Sequence, residues 1–253
     1  MDALHNLGVC YEQGCVVEKN PATAEKLYRK AAIQGHAEAQ FRLGNCLFGK
    51  DATLPEAVKW IRMAAEQGVA AAQSTLGLCY NVGRGVEKNI DESIKWYRKA
   101  ADEDCEDAIY SLGIYYYFGK GVKQDYYAAA RLFRKAADMD VSNAKFCLGV
   151  CYELGRGVDQ DLAKAVSLYS QAANSYVHNA IINKARCLFY GIGCDKDQDV
   201  AKRNLEFYSQ FSGENLHDLL ENLEKSSEPI DIPEGEAIRI LHLYQSFTVR
   251  NPW

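Results

Sequence analysis

Leu76-Gly77-Leu78-Cys79-Tyr80, then Gly83-Arg84-Gly85-Val86, then Trp96-Tyr97-Arg98-Lys99-Ala100-Ala101: this stretch decides the fold, because the chain keeps rewriting it. The Leu-Gly pair returns as Leu7-Gly8, Leu43-Gly44, Leu112-Gly113 and Leu148-Gly149, so that the successive spacings are 36, 33, 36 and 36 residues. The Ala-Ala pair returns behind each of them, at Ala31-Ala32, Ala64-Ala65, Ala136-Ala137 and Ala172-Ala173. A period of this size marks one supersecondary unit copied along the chain, each copy burying its apolar face against its neighbours.

Within a unit the apolar spacing is helical. Ala144, Leu148 and Tyr152 fall at i, i+4 and i+8, Gly155-Arg156-Gly157 interrupts, and Ala165, Leu168, Tyr169, Ala172 and Ala173 form a second stripe. Each unit therefore reads as helix A, a glycine-bearing turn and helix B. Gly83, Gly119 and Gly155 suit left-handed C-caps of helix A, and Asp91, Asp125 and Asp161 suit N-caps or first-turn acids of helix B. The second unit is three residues short, with the loss confined to its turn, Gly49 to Pro55. A sixth unit carries Lys184-Ala185 and Tyr208-Ser209 in place of the two signature pairs. The tail keeps the same register, with Ala237 and then Ile240-Leu241 at helix-B positions and a helix A expected from Asn215 to Lys225. The expected organisation is six repeats, over 1–36, 37–69, 70–105, 106–141, 142–177 and 178–213. Residues 214–253 then form a degenerate seventh helix pair, an acidic cap. The chain opens at a repeat boundary with no cap of its own, as a piece of a longer protein would.

The pattern A-x-x-x-L-G-x-x-Y-x-x-G-x-G-V-x-x-D followed by A-x-x-W-Y-x-K-A-A resembles the Sel1-like repeat family, a relative of the tetratricopeptide repeats with a longer turn. The resemblance covers about residues 1 to 211. It implies an all-α, α/α superhelical solenoid whose concave face is lined by A helices, here with about seven helix pairs. It also implies an adaptor role, since members of the family resemble parts of ER-associated degradation complexes, chitin-synthase activators and bacterial proteins acting on host pathways.

Charge and composition narrow the partners. The net charge of −5 opposes nucleic acid, which wants a basic stripe. From Ser212 onward eight acidic residues meet three basic ones, so the acidity resides at the C-terminal end and residues 1 to 211 are neutral overall. No run approaches the ~20 apolar residues of a membrane span, and Met1-Asp2 leads into the first repeat without a signal-peptide pattern. Nine cysteines suggest chemistry until they are aligned: Cys10, Cys46, Cys79, Cys151 and Cys187 all stand three residues after the Leu position, with Tyr115 in the fourth copy. One column of small apolar thiols points to packing, and reduced thiols point to the cytoplasm.

Catalytic patterns are thin. The histidines His5, His36, His178, His217 and His242 share no repeat column, and no cofactor or metal is expected from any spacing. Cysteine-rich bacterial relatives are associated with β-lactam binding, which makes a weak β-lactamase-like hydrolase the enzymatic alternative. Their cysteines pair within a repeat, however, a spacing absent here, and Ser142 to Lys145 is the lone Ser-x-x-Lys. The Gly-Arg/Lys-Gly turns raise basic residues at one place, expected as solvated charges. Tyr115, Tyr117 and Phe118 cannot all enter the core beside Tyr116, so an exposed aromatic cluster is expected there, or burial against Tyr126 and Tyr127. With the repeated columns used for packing, specificity falls to variable A-helix positions around the Leu. These are Asn6, Arg42, Thr75, Ser111 and Asn183 before it, Asn45, Leu78, Ile114 and Arg186 after it, with Tyr115 and Tyr117 as aromatic anchors. The expected function is a protein-binding scaffold that grips a partner protein or peptide segment on the A-helix face. Self-assembly through the first repeat is the other alternative.

Overall fold

A computed structural model describes residues 1–49, 51–229 and 231, with Asp51 and Phe211 placed by backbone alone. These residues form thirteen α-helices and one short 3-10 turn, with no strand among them. The A helices are α1 (Asp2–Gln13), α3 (Ala37–Leu47), α5 (Ala70–Val82), α7 (Glu106–Phe118), α9 (Ser142–Leu154) and α11 (His178–Tyr190). The B helices are α2 (Pro21–Ile33), α4 (Leu54–Glu66), α6 (Ile90–Asp102), α8 (Tyr126–Asp138), α10 (Leu162–Asn174) and α12 (Gln198–Ser212). Helix α13 (Leu216–Lys225) follows, capped by Asn215, whose side chain accepts from His217 N. The expected partner of α13, with Ala237 and Ile240-Leu241, lies outside the described residues.

The chain divides into two compact units, one holding Met1–Ala108 and the other Ile109–Ala237. In each, every helix packs on the next in sequence: α1 to α6 in the first unit, α8 to α13 in the second. This is the nearest-neighbour arrangement of a repeat array.

Local chemistry sets the helix ends. Asn20, Asn89, Asp125, Asp161 and Asp197 precede the B helices, and each side chain accepts a first-turn N–H, as with Asp161 and Lys164 N at 2.9 Å. Asp91 lies inside the first turn of α6, where an acid favours the helix dipole. At the other end, Gly83 takes φ +75° and donates its N–H to Cys79 O at 2.9 Å, which satisfies a carbonyl the helix cannot.

The Leu-Gly glycine is a matter of space. A Cβ at Gly113 would stand 2.6 Å from Phe133 Cε1, and one at Gly149 would stand 2.7 Å from Tyr169 Cε1. The sixth repeat tolerates Ala185 because the facing B-helix residue has shrunk to Leu205, and both are fully buried. In the second repeat the missing glycine turn is replaced by the 3-10 turn Asp51–Thr53, where the Thr53 hydroxyl donates to Leu47 O at 2.6 Å.

The cysteine column packs into the interior. Cys79, Cys151 and Cys187 are buried, Cys10 and Cys46 partly so, and Tyr115 fills the fourth place at 4% exposure. Burial pushes the Cys46 thiol up to about 11 and those of Cys79, Cys151 and Cys187 to about 12, so they stay neutral thiols. All nine cysteines are free.

Candidate functional site

A second column emerges five residues after each Leu position: Glu12, Phe48, Asn81, Tyr117, Glu153 and Phe189. Across from it on helix B stand Tyr28, Ile61, Tyr97, Phe133, Tyr169 and Leu205. The two columns covary in polarity. The Tyr28 hydroxyl donates to Glu12 Oε2 at 2.7 Å and the Tyr169 hydroxyl to Glu153 Oε2 at 2.8 Å. Phe48 meets Ile61 and Phe189 meets Leu205 as purely apolar pairs. A buried tyrosine needs an acceptor, and in the first and fifth repeats the A helix supplies one. Burial and the neighbouring Glu153 carboxylate push the Tyr169 phenol well up, which keeps it a donor.

Each carboxylate is also met by an arginine of the following A helix. Arg42 on α3 lies 3.6 Å from Glu12. Arg186 on α11 forms an ion pair with Glu153, and both side chains are over nine-tenths buried.

In the fourth repeat the facing residue is Phe133, which offers no polar atom, and Tyr117 turns elsewhere. Its hydroxyl donates to Asp231 Oδ1 at 2.6 Å, far along the chain. Arg156, in the turn after α9, joins them: its guanidinium lies 5.4 Å over the rings of both Tyr117 and Tyr126 and donates to Asp231 Oδ2 at 2.7 Å. Burial, reinforced by Asp231, pushes the Tyr117 phenol well up. Arg84, at the matching turn of the third repeat, lies 4.4 Å over the Phe48 ring and donates to Phe48 O at 3.2 Å. Arg84 and Arg156 are therefore not simply solvated: both pack over the aromatic residue of the preceding repeat's A helix.

Of the residues expected to bind a partner, Asn6 is exposed and Arg42 and Asn45 are half-buried. Thr75, Leu78, Ser111, Ile114, Tyr115, Asn183 and Arg186 are all below a tenth exposed. Tyr117 is 2% exposed, packed edge-on against Phe118 and Tyr126 at 5.1 and 5.2 Å. The exposed aromatic cluster expected at Tyr115 and Tyr117 is thus corrected to a buried one, because helix α8 brings Tyr126 and Phe133 over it. Only Tyr127 beside it stays open, at 78% exposure. In the first repeat Leu7 is 42% exposed, whereas Leu43, Leu76, Leu112 and Leu148 are buried.

Sequence reasoning missed Glu153 and Asp231, and read Arg156 as a solvated turn charge. The first carried a signal, a carboxylate sixteen residues ahead of a core tyrosine in two separate repeats.

The candidate reactive groups are engaged structurally. Lys145, the lysine of the Ser-x-x-Lys, pairs with Asp140. His36 caps α3 through Nδ1 at 3.0 Å from Ala39 N, with His5 stacked on it at 4.8 Å. His178 contacts the Tyr208 hydroxyl and lies 3.5 Å from Glu214. Among the described residues no cluster of three or more His, Cys, Asp or Glu could hold a metal, and no helix is long and apolar enough to cross a membrane.

What the A helices do concentrate is buried polarity. Among the described residues, every buried polar or charged side chain except Ser93 lies on an A helix, including Gln40, Gln73, Thr75, Asn81, Ser111, Asn143, Glu153, Asn179, Asn183 and Arg186. The B helices bury alanine and aromatic rings instead. Paired helices with this division of labour define an α/α repeat solenoid, a class that presents surfaces. The signature of the Sel1 repeat matches the chain six times, over residues 2–36, 37–69, 70–105, 106–141, 142–176 and 179–206, and the chain belongs to the Sel1 repeat family.

Solved structures agree. A Sel1 repeat protein from Oxalobacter formigenes is 32% identical with a TM-score of 0.74, over 85% of this chain and 87% of that one. A protective antigen present in uropathogenic Escherichia coli strains is 30% identical with a TM-score of 0.73, over 83% of this chain and 45% of that one. Among curated proteins, DAP3-binding cell death enhancer 1 of Rattus norvegicus is 38% identical over 79 residues, 30% of this chain and 15% of the rat protein. This chain therefore spans less than half of two of these relatives. Sel1 repeat proteins generally act as protein-interaction scaffolds, and their solenoid is typically non-catalytic.

Proposed function

We propose that this chain is an adaptor that binds a partner protein or peptide segment on its A-helix face. The observation that carries this reading is the concentration of buried polar side chains on the A helices. Several of these groups already bond within the chain, Gln40 to Ala32 O, Gln73 to Ala65 O and Arg186 to Glu153, which supports a face held rigid by its polar interior and leaves the exposed Asn6 and half-buried Arg42 and Asn45 to meet a partner. Asn6, Arg42 and Asn45 are the accessible contacts of the set. Thr75, Leu78, Ser111, Ile114, Tyr115, Tyr117, Asn183 and Arg186, the other residues of the set, are buried within their own units. The rat relative, named for binding a protein, supports the same kind of role. The nine free thiols support a cytoplasmic setting.

The test is affinity capture with the double variant Arg42→Gln/Asn45→Arg, alongside Arg131→Glu on the exposed side of α8 as a control. The expected result is loss of captured proteins from the double variant alone, with helical circular dichroism unchanged. An identical set of captured proteins from both variants and the parent chain rejects the reading.

A further inference from the structure

The last turn of α13 and the described residues that follow it are held on the A helices of the second unit at three stations. At the first, the Tyr190 hydroxyl on α11 donates to Leu223 O at 2.9 Å and to Glu224 O at 3.1 Å. At the second, Arg186 Nη1 donates to Ser227 O at 2.7 Å while its other terminal nitrogen holds Glu153. At the third, Asp231 is clamped between Arg156 and the Tyr117 hydroxyl, 2.7 and 2.6 Å away. Between Leu223 and Asp231 the contacts thus move from α11 to the turn after α9 and the end of α7, against the order of the repeats. Ser226 to Pro229 form no helix or strand.

The chemistry of the last two stations is that of peptide recognition. The first caps carbonyls that end α13; beyond the helix Arg186 reads a main-chain carbonyl, which any sequence offers, and Arg156 with Tyr117 reads a carboxylate, which selects an acidic residue. The clamp uses repeat positions in a way the first and fifth repeats do not. Tyr117 is directed at it because Phe133 leaves its hydroxyl without a partner on helix B, and Arg156 rides on Tyr117 and Tyr126. The segment itself stays open to water: Ser226, Ser227 and Glu228 are exposed, and the Asp231 and Arg156 side chains are 46% and 32% exposed. It lies on the face without being part of the core, as a displaceable occupant would.

We propose that the A-helix face of the second unit is a docking track for an extended acidic peptide, and that the chain's own Ser227 and Asp231 belong to its resident occupant. A partner with the same chemistry, an unstructured segment with a carboxylate at the Asp231 position, enters by displacing it. This deepens the adaptor reading and rests on it for the choice of face. The acidity gathered beyond Ser212 then has a role, as the in-cis competitor that sets how strongly an acidic partner must bind.

The test uses the full chain and a fluorescein-labelled synthetic peptide with the sequence of residues 224 to 235, followed by fluorescence anisotropy at fixed salt. Asp231→Arg should expel the resident segment by repulsion from Arg156 and bind the peptide at least ten-fold more tightly than the parent chain. Adding Arg156→Glu to that variant should abolish the gain, as should replacing the aspartate of the peptide by asparagine. Equal binding to the parent and Asp231→Arg chains, including no binding to either, overturns the proposal. So does a gain that survives Arg156→Glu. Asp231 is exposed and outside every helix, so the fold withstands its replacement. Because the capture experiment relies on Arg42 and Asn45 in the first unit, the adaptor reading and the docking track can fail separately.

Discussion

Tyr169 and Glu153 face each other across α10 and α9 with 2.8 Å between hydroxyl and carboxylate, and Tyr28 and Glu12 repeat the relationship four units earlier at 2.7 Å. The fifth repeat differs from the first in burying the carboxylate with an arginine, Arg186, from the next repeat. Removing the phenol therefore leaves Glu153 with its cation, whereas removing the cation leaves a charge inside. Tyr169→Phe should cost about 1–3 kcal/mol, the loss of a hydrogen bond to a charged acceptor. Arg186→Met should cost more, about 3–5 kcal/mol. Urea unfolding followed by circular dichroism ranks the two, and the reverse order would contradict the assignment.

The close approach at Gly113 gives a prediction with its own rescue. Gly113→Ala pushes a methyl group against the Phe133 ring and should destabilise by about 1–3 kcal/mol, the usual cost of overpacking. Adding Phe133→Leu recreates the Ala185/Leu205 pair of the sixth repeat. The double variant should be more stable than the sum of the single effects predicts, and a double-mutant cycle measures the coupling. Strict additivity would show that the ring is not what excludes the methyl.

Tyr176 occupies the left-handed region at φ 59°, at the position where the first two repeats have Gly35 and Gly68. A non-glycine residue there costs about 1–2 kcal/mol, while glycine adds unfolded-chain entropy worth about 0.4–1 kcal/mol. Tyr176→Gly should therefore be stabilising by roughly 0.5–1 kcal/mol. A melting temperature unchanged or lowered would refute it.

The buried thiols predict a reactivity pattern and a pH dependence. At pH 8 a thiol reagent should modify exposed Cys15 first, and Cys79, Cys151 and Cys187 only upon unfolding. These three titrate near 12 in the folded chain, against about 8.5 for an ordinary thiol, so the folded state holds its protons more tightly. Their contribution to stability is complete below the ordinary value and is lost as pH climbs from there towards 12. Mass spectrometry of labelled peptides before and after urea tests the first part, and unfolding midpoints between pH 7 and 10.5 the second.

The fold was legible because a repeat states its packing rules several times over. One copy of Leu-Gly could be chance, but five with an Ala-Ala behind each cannot, and the helix pairs, the glycine caps and the cysteine column all follow from aligning copies. The candidate site was less legible for the same reason. Tyr117 meets Asp231 across 114 residues, and the second lies where the repeat has faded, so no column records the pairing. The burial of Tyr117 was one of two readings the sequence left open, because the neighbours that decide it, Tyr126 and Phe133, come from the other helix of its pair. Glu153 and Arg186 sat between these extremes: the tyrosine–glutamate spacing occurs twice and was open to notice, but the arginine comes from a different helix position in each case.

The shortened second repeat carries a lesson about where such an array can be altered. Its turn has lost three residues, and a 3-10 turn tied to Leu47 by Thr53 closes the gap, yet Leu43 and Ile61 stay buried on either side. What the stack conserves is the phase between neighbouring helices, not the length of chain that joins them. Exposed Gly49 is thus a splice point, where a foreign epitope or a small folded insert can be seated without retuning the flanking helices, while Phe48 and Thr53 beside it stay tied into the fold.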